Sequence, residues 1–485
     1  LSFSIHMPRT VHTSQTHCRL ALAHGDITPP VGIYHRMWGA ASHDAAEGIH
    51  RPLRGTVLVS EPADASDRCL LVALDHCILR AVDLDPLVNR AAAAAGVATE
   101  AVSVVFSHTH AAGLLGMDRI DLPGGELIPA YLESLYQVIE EVVHEAIAKL
   151  TAVTLVYGEG HCDLARQRDL WDEQGNQFVC GFNPDKPVDS RLLAVKIEDA
   201  EGGWAGSIVN YGCHPTSLAW ENRLISPDYP GAMRDLIEQQ TGAPCLFVQG
   251  ICGDLGPRDG FSGDPAVADN NGIQLGHAAL STLFSLPPAG TCQQYSGAVV
   301  SGATIGTWQH VELDQDRDLA ICRWRQARWD IPLPYRAELE HAEAIEQRLE
   351  QWQQQEEEAR LSEDLPHAQH CRAMAERDRR LLAKLAELPP GENYPYQVHA
   401  WQLGDAIWLL LPGEPYQQLQ QELRARFPEI PLLIASNTGP WGPSYLVPDE
   451  SYGKGIYQET VAVLKAGCLE ELTTHLAQRI ADWIE

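Results

Sequence analysis

From about residue 53 the chain alternates short β-branched and aliphatic runs with Ala- or Glu-rich stretches of helical period. This is the pattern of an α/β protein with a mixed β-sheet core and flanking helices. Five of the apolar runs share a further property. Val102–Phe106 leads into Ser107-His108-Thr109-His110, 206–211 into Gly212-Cys213-His214-Pro215-Thr216-Ser217, and 245–248 into the stretch from Gln249 through Asp254 to Arg258. The run 406–411 leads into Pro412-Gly413-Glu414-Pro415, and Leu432–Ala435 into a Gly- and Pro-rich stretch that reaches Tyr445. Each expected strand thus ends in a polar loop, and ligands of α/β sheets bind beyond the carboxyl ends of strands. The five loops are expected to converge on one pocket.

Residues 335–389 read differently. They are dense in Glu, Gln and Arg, with Ala342, Ile345, Leu349 and Trp352 at helical spacing and a second stripe through Met374, Leu381, Leu385 and Leu388. The spacing predicts an inserted antiparallel pair of helices with narrow apolar seams: a solvated hairpin, a homo-oligomer contact or an active-site lid. No repeat and no Gly/Ser linker divides the rest. Residues 20–485 are therefore expected to form one catalytic domain behind a leader or flexible N-terminus, residues 1–19, within which Met7 is a candidate start.

Composition narrows the function. The chain has 485 residues, 45% of them hydrophobic, and a formal net charge of −30. Such an acidic chain repels nucleic acid and anionic lipid alike, and no apolar run approaches the ~18 residues a membrane span needs. Twelve cysteines are scattered without a CxxC pair, which suits reduced thiols in a cytoplasm. A soluble cytoplasmic protein acting on a small molecule is expected, with no nucleic-acid or membrane partner.

The usual signatures of zincins, P-loops, serine hydrolases and dinucleotide binders are missing. What remains is His108 and His110, two apart at a strand end and so on one side, with His214 past a second strand and Glu414 past a third. One histidine of the close pair can bind a metal while the other reaches substrate. Two histidines and a carboxylate make a catalytic zinc set with room for water.

Taken in order, Ser107-His108-Thr109-His110, His214-Pro215-Thr216-Ser217, Gln249 through Asp254 to Pro257, Pro412-Gly413-Glu414-Pro415 and the Tyr-rich stretch from Tyr445 to Tyr457 resemble the neutral/alkaline non-lysosomal ceramidases and their bacterial relatives. Gly25-Asp26-Ile27-Thr28-Pro29-Pro30 and Gly48-Ile49-His50-Arg51-Pro52-Leu53 resemble that family's N-terminal part. The resemblance implies one zinc ion per chain, held by His108, His214, Glu414 and Tyr445. It implies His110, Arg166 and Tyr457 at the reaction centre, with Arg168 two positions on and facing the same side of a strand. Asp254, Gly256, Arg258 and Trp441 are expected behind the ligands or against substrate, with Asp254 orienting a ligand histidine or closing an Asx-turn.

Two departures qualify the resemblance. The family's serine in Gly-Asp-x-Ser-Pro is Gly256 here, and no immunoglobulin-like domain follows before the final helix from Leu469. With Trp38, Trp220 and Trp441 in loops beside the motifs, a polar, ring-containing amide is expected in place of ceramide. The alternatives are a zinc-dependent glycosidase or lyase and a non-catalytic ligand-binding descendant.

Overall fold

Strands β1 (Gln15–Asp26), β2 (Arg54–Glu61), β3 (Cys69–Leu74), β4 (Val102–Phe106), β5 (Thr151–His161), β6 (Arg191–Asp199), β7 (Trp204–Tyr211) and β8 (Cys245–Gln249) form one sheet, in the order β8-β7-β6-β5-β1-β2-β3-β4. A second sheet contains β9 (Trp324–Pro334), β10 (Asn393–Leu403), β11 (Ala406–Leu410) and β12 (Leu432–Ala435), in that order. The pairs β3/β4, β7/β8 and β11/β12 are parallel, and their other neighbours run antiparallel. These findings come from a computed structural model that describes residues 9–484.

The central strands are buried on both faces, which explains why β3 reads as an unbroken hydrophobic run and β4 as one broken only by Ser103. Cys18, Leu20 and Leu22 of β1 pack against Trp401, Trp408 and Leu433 of the second sheet. On the opposite face Ala23 and Val57 meet helices α1 (Ala81–Ala95) and α2 (Ile128–Ala148). Helices α3 (Tyr229–Thr241) and α4 (Pro265–Ser285) cover β7 and β8 through Met233, Ile237 and Leu275. The outer face of the second sheet is sealed by Leu472, Leu476 and Ile480 of the C-terminal helix, giving four layers, α/β/β/α. Part of the expected leader is corrected by this packing. Residues 1–8 lie outside the described residues, but β1 starts at Gln15, and Gln15, Thr16 and Cys18 are already buried.

Two features bring the loops together. The large sheet coils until β8 approaches β3 and β4 at its other edge, as accumulated strand twist allows. At the end of β7 the buried Asn210 side chain donates to the carbonyls of Val248 and Ile434 and accepts from the Ile434 amide, joining the two sheets. The expected hairpin forms as α5 (Ala342–Leu361) and α6 (Leu365–Glu387). Its seam is made of small residues, Ala359, Ala368, Cys371 and Ala375, with Ile345. Glu376 on α6 takes two bonds from Arg119 at 2.8 and 2.9 Å and further bonds from Arg379 and Arg380. Burial alone would raise its pKa, but Arg380 and Arg119 hold it down to about 2. Arg372 pairs with Asp44, and Arg380 bonds the Met37 carbonyl. So clamped, α6 closes over the strand ends.

Candidate metal centre

His108 follows β4 with φ at 64°, a left-handed conformation uncommon outside glycine. Its amide bonds the His76 carbonyl at 3.0 Å, and its Nδ1 lies 2.9 Å from the Cys77 carbonyl oxygen. The Nδ1 of His214 is 2.7 Å from the Cys252 carbonyl oxygen. A carbonyl only accepts, so both rings carry their proton on Nδ1 and present Nε2 as a lone pair. Glu414 opens a two-residue strand that pairs in parallel with Tyr445–Leu446, setting Glu414 opposite Tyr445. Gly413 enters that strand at φ 73°, and a Cβ there would meet the Ser444 carbonyl at 2.5 Å.

The Nε2 atoms of His108 and His214 come to 3.5 and 3.0 Å from Glu414 Oε2, and the three ligand atoms lie within 4.8 Å of one another. His214 Nε2 and Glu414 Oε2 are buried without a hydrogen-bond partner among the described residues. Two lone pairs facing a carboxylate repel each other unless a cation sits between them, and two imidazoles with one carboxylate are the donor set of catalytic zinc. The residues therefore fit a metal ion. Without one, the set distorts its own titration. Burial works against a charged His108, yet Cys77 and Glu414 carry its pKa well above the ordinary value. Burial and Arg168 hold His214 down to about 4. Cys77, His108 and His110 form an overlapping trio, but with His108 Nδ1 committed to a carbonyl the set around Glu414 is the better formed.

A cavity of about 700 Å³ opens onto this cluster. His110 lines it, ring centroids 5.0 Å from His108 and 5.6 Å from His214, with Nε2 buried and unpartnered among the described residues. Burial, then the neighbouring histidines, push its pKa well below the ordinary value. Tyr445 stacks on His214 and meets Tyr457 edge-on at 6.0 Å. Tyr457 and Trp441 line the same cavity.

The expectation for Arg166 is corrected. Its guanidinium turns outward to Asp163 at 2.6 Å. Arg168 is the arginine inside, donating to the Gly253 carbonyl at 2.7 Å and to Tyr445 Oη at 3.0 Å. Period-2 reasoning failed because the strand Ala165–Gln167 ends before Arg168. Arg258 is also outside, half-exposed between Asp163 and Asp259. Asp254 orients no histidine: both of its oxygens accept from Gln417, at 2.7 and 2.9 Å, bracing the loop that carries Glu414. Backbone carbonyls do the orienting instead. Gly253 packs so closely on that loop that a Cβ would meet the Glu414 carbonyl at 2.4 Å.

The family described as neutral/alkaline non-lysosomal ceramidase, N-terminal, matches residues 19–253. The neutral ceramidase of Pseudomonas aeruginosa is 27% identical over 249 residues, 49% of this chain and 37% of that protein. Nearly half of the chain, residues 19–253, thus resembles the N-terminal region of that family. Neutral ceramidase 1 of Arabidopsis thaliana is 28% identical over 240 residues, 46% of this chain and 30% of that protein, so the matches span about a third of these relatives. The crystal structure of the Pseudomonas aeruginosa neutral ceramidase superposes with a TM-score of 0.64 over 96% of this chain and 74% of that one, at 17% identity, and shares the fold. The family match ends at residue 253, before Glu414, Tyr445 and Tyr457.

A Cβ on Gly256 would find Thr216 Oγ1 at 3.8 Å and Arg168 Cδ at 3.9 Å, so the site has room for a side chain there. Sequence reasoning missed Lys384 and Asp169. Lys384 interrupts the stripe Leu381, Leu385, Leu388, and that misplaced charge was its signal. Asp169 accepts from Tyr416 and Gln458, tying the Glu414 loop to the turn of Tyr457. Nothing in its local pattern marked it.

Proposed function

We propose that this chain is a zinc-dependent hydrolase that cleaves an amide bond of a small polar substrate held in the cavity, with His108, His214, Glu414 and Tyr445 as the metal ligands. The observation that carries this reading is the convergence of three buried ligand atoms, two Nε2 and one carboxylate oxygen, within 4.8 Å of one another. When bound, zinc supplies a Lewis acid that makes water nucleophilic near neutral pH and polarises a carbonyl. His110, kept neutral by its surroundings, accepts the proton of the attacking water at Nε2 and returns it to the leaving nitrogen. Arg168 anchors Tyr445 Oη and supplies fixed positive charge where the amide oxygen becomes negative. Tyr457 faces the same space with its phenol. Trp38, 5.3 Å from the His110 ring, shields the base from water.

Ceramide is the substrate named for the relatives. Gly256 without its hydroxyl and the net charge of −30 favour a smaller, soluble amide for this chain. Elemental analysis tests the reading first: about one zinc per chain, lost in His108→Ala, His214→Ala and Glu414→Ala but kept in His110→Ala. A metal-free wild type that cannot be loaded would sink it, and loss in His110→Ala equal to that in His108→Ala would reverse the roles within the pair.

A further inference from the structure

The cavity has two unlike walls. On one side Trp38, Trp220 and Phe261 form a cluster with ring centroids 5.8–6.4 Å apart, continuous with His110. On the other side lies the hairpin, and here the lining is cationic: Arg348 of α5 and Arg377, Arg380 and Lys384 of α6 border the cavity, with Arg168 also in its lining. Three carboxylates also reach it, but each is engaged. Glu414 belongs to the metal centre, Glu376 is held by Arg119, Arg379 and Arg380, and Glu340 accepts from Arg348. In a chain whose acids outnumber its bases 65 to 35, a cavity with surplus positive charge focuses anions.

Most of those cations are already committed. Arg348 is bonded to Asp378 as well as Glu340, Arg380 to Glu376 and the Met37 carbonyl, and Arg168 to Tyr445. Lys384 is not. It is only 6% exposed, its Nζ donates to the Val461 carbonyl at 3.0 Å and lies 5.6 Å from the Trp441 ring, and no carboxylate among the described residues pairs with it. An ammonium has three donors, and burying it without a counter-ion is costly. Arg377, two turns earlier on α6, stands at the rim, half-exposed and 3.5 Å from Asp378.

We infer that the substrate carries an anionic group, a carboxylate or its equivalent, which binds Lys384 with Arg377 at the rim while a ring-bearing portion lies on Trp38, Trp220 and Phe261. The inference rests on the amidase reading above. The class that spans both walls across the metal centre is an N-acyl amino acid with a ring in its acyl group. Hydrolysis breaks its C–N bond, adds the water oxygen to the acyl carbon and leaves the proton on the amine nitrogen, with no redox partner.

Zinc-loaded protein is tested with N-benzoylglycine and with N-benzoylethanolamine, which replaces the carboxylate by a neutral hydroxymethyl group and keeps a single amide. The expected result is kcat/KM about 10-fold or more higher for the carboxylate, since a charge-assisted bond is at stake, with Lys384→Met erasing the preference through KM. In parallel, calorimetry on zinc-loaded His110→Ala measures binding of both compounds without turnover. Tighter binding of the carboxylate, lost with Lys384→Met, supports the anion site even if neither compound is hydrolysed, an outcome that would remove the amidase reading alone. Equal turnover of the two compounds overturns the anion site and keeps the amidase. Equal binding, or no binding, overturns it as well.

Discussion

Replacing Lys384 by Met should make the protein more stable at neutral pH, whatever it does to activity. Burial lowers the Lys384 pKa from 10.5 to about 8, the nearby Glu414 charge opposing only in part. At pH 7 the folded protein therefore holds an ammonium that burial disfavours by about 3 kcal/mol, since each tenfold change in acidity is worth about 1.4 kcal/mol. Methionine keeps the length and volume but forfeits the Val461 hydrogen bond and the Trp441 contact, about 1 kcal/mol in total or slightly more. The net gain is about 1–2 kcal/mol. Unfolding entropy for a chain of 485 residues is about 1 kcal/mol/K, so the melting temperature should rise by only about 1–2 °C.

The pH dependence is the sharper signature. Between pH 8 and 10.5 the unfolded lysine still holds a proton that the folded one has lost, so wild-type stability rises with pH across that window. The variant lacks this gain, so its advantage should vanish at about pH 9 and give way to a deficit of about 1 kcal/mol by about pH 10, where the Val461 bond it forfeited still counts. Denaturant titrations of both proteins at about pH 7, 8.5 and 10 measure the difference, in which all other ionisations cancel. A variant less stable than wild type at neutral pH, or a gap that does not change with pH, would refute the reading of Lys384 as an uncompensated buried charge.

Arg168→Met should lower kcat/KM on the order of 100-fold by releasing Tyr445 and removing the fixed charge, whereas Arg166→Met, which touches only Asp163 and nearby backbone, should stay within about 3-fold; equal losses would restore Arg166 to the site. Tyr457→Phe should lower kcat by about 100-fold with zinc content unchanged, and Tyr445→Phe should weaken metal retention modestly; normal turnover and metal in both variants would reduce the two rings to packing. Gly256→Ser should fold with an unchanged melting temperature, since its Cβ finds nothing nearer than 3.8 Å. Robust release of fatty acid from ceramide micelles by the wild type, with glycine still at 256, would overturn the argument from the missing hydroxyl.

The strand ends were legible because β4, β8, β11 and β12 are buried throughout, and β7 over most of its length, and therefore appear as mainly apolar runs with abrupt polar ends. His108, His214 and Glu414 each stand within a few residues of such an end, so rules of local spacing found them. Arg168 and Asp254 were misjudged because their roles depend on where a three-residue strand stops and on which chain segment, 163 positions away, lies alongside. The hairpin was legible as two helices but not as a wall, since the contacts that fold it over the cavity, Arg119 to Glu376 and Arg372 to Asp44, join residues 257 and 328 apart.

One physical pattern links the site to the rest of the molecule. Folding alone would not bury Glu414, Asp254, Glu376 and Lys384 within one region, because each buried charge opposes stability unless something compensates it. For Glu376 the compensation is three arginines. For Asp254, whose carboxyl is pushed up to about 6 by burial, it is the two bonds from Gln417, and the ionised form still costs stability above that pH. For Glu414 it is His108 and His214, which hold its pKa well below the ordinary carboxylate value. Lys384 has a carbonyl, an aromatic face and nothing of opposite charge, so the compensation it lacks must come from whatever enters the cavity. Buried charges whose compensation within the chain is incomplete are where ligands are to be sought, and they underlie both proposals made above, a metal ion between the strand ends and an anion beneath α6.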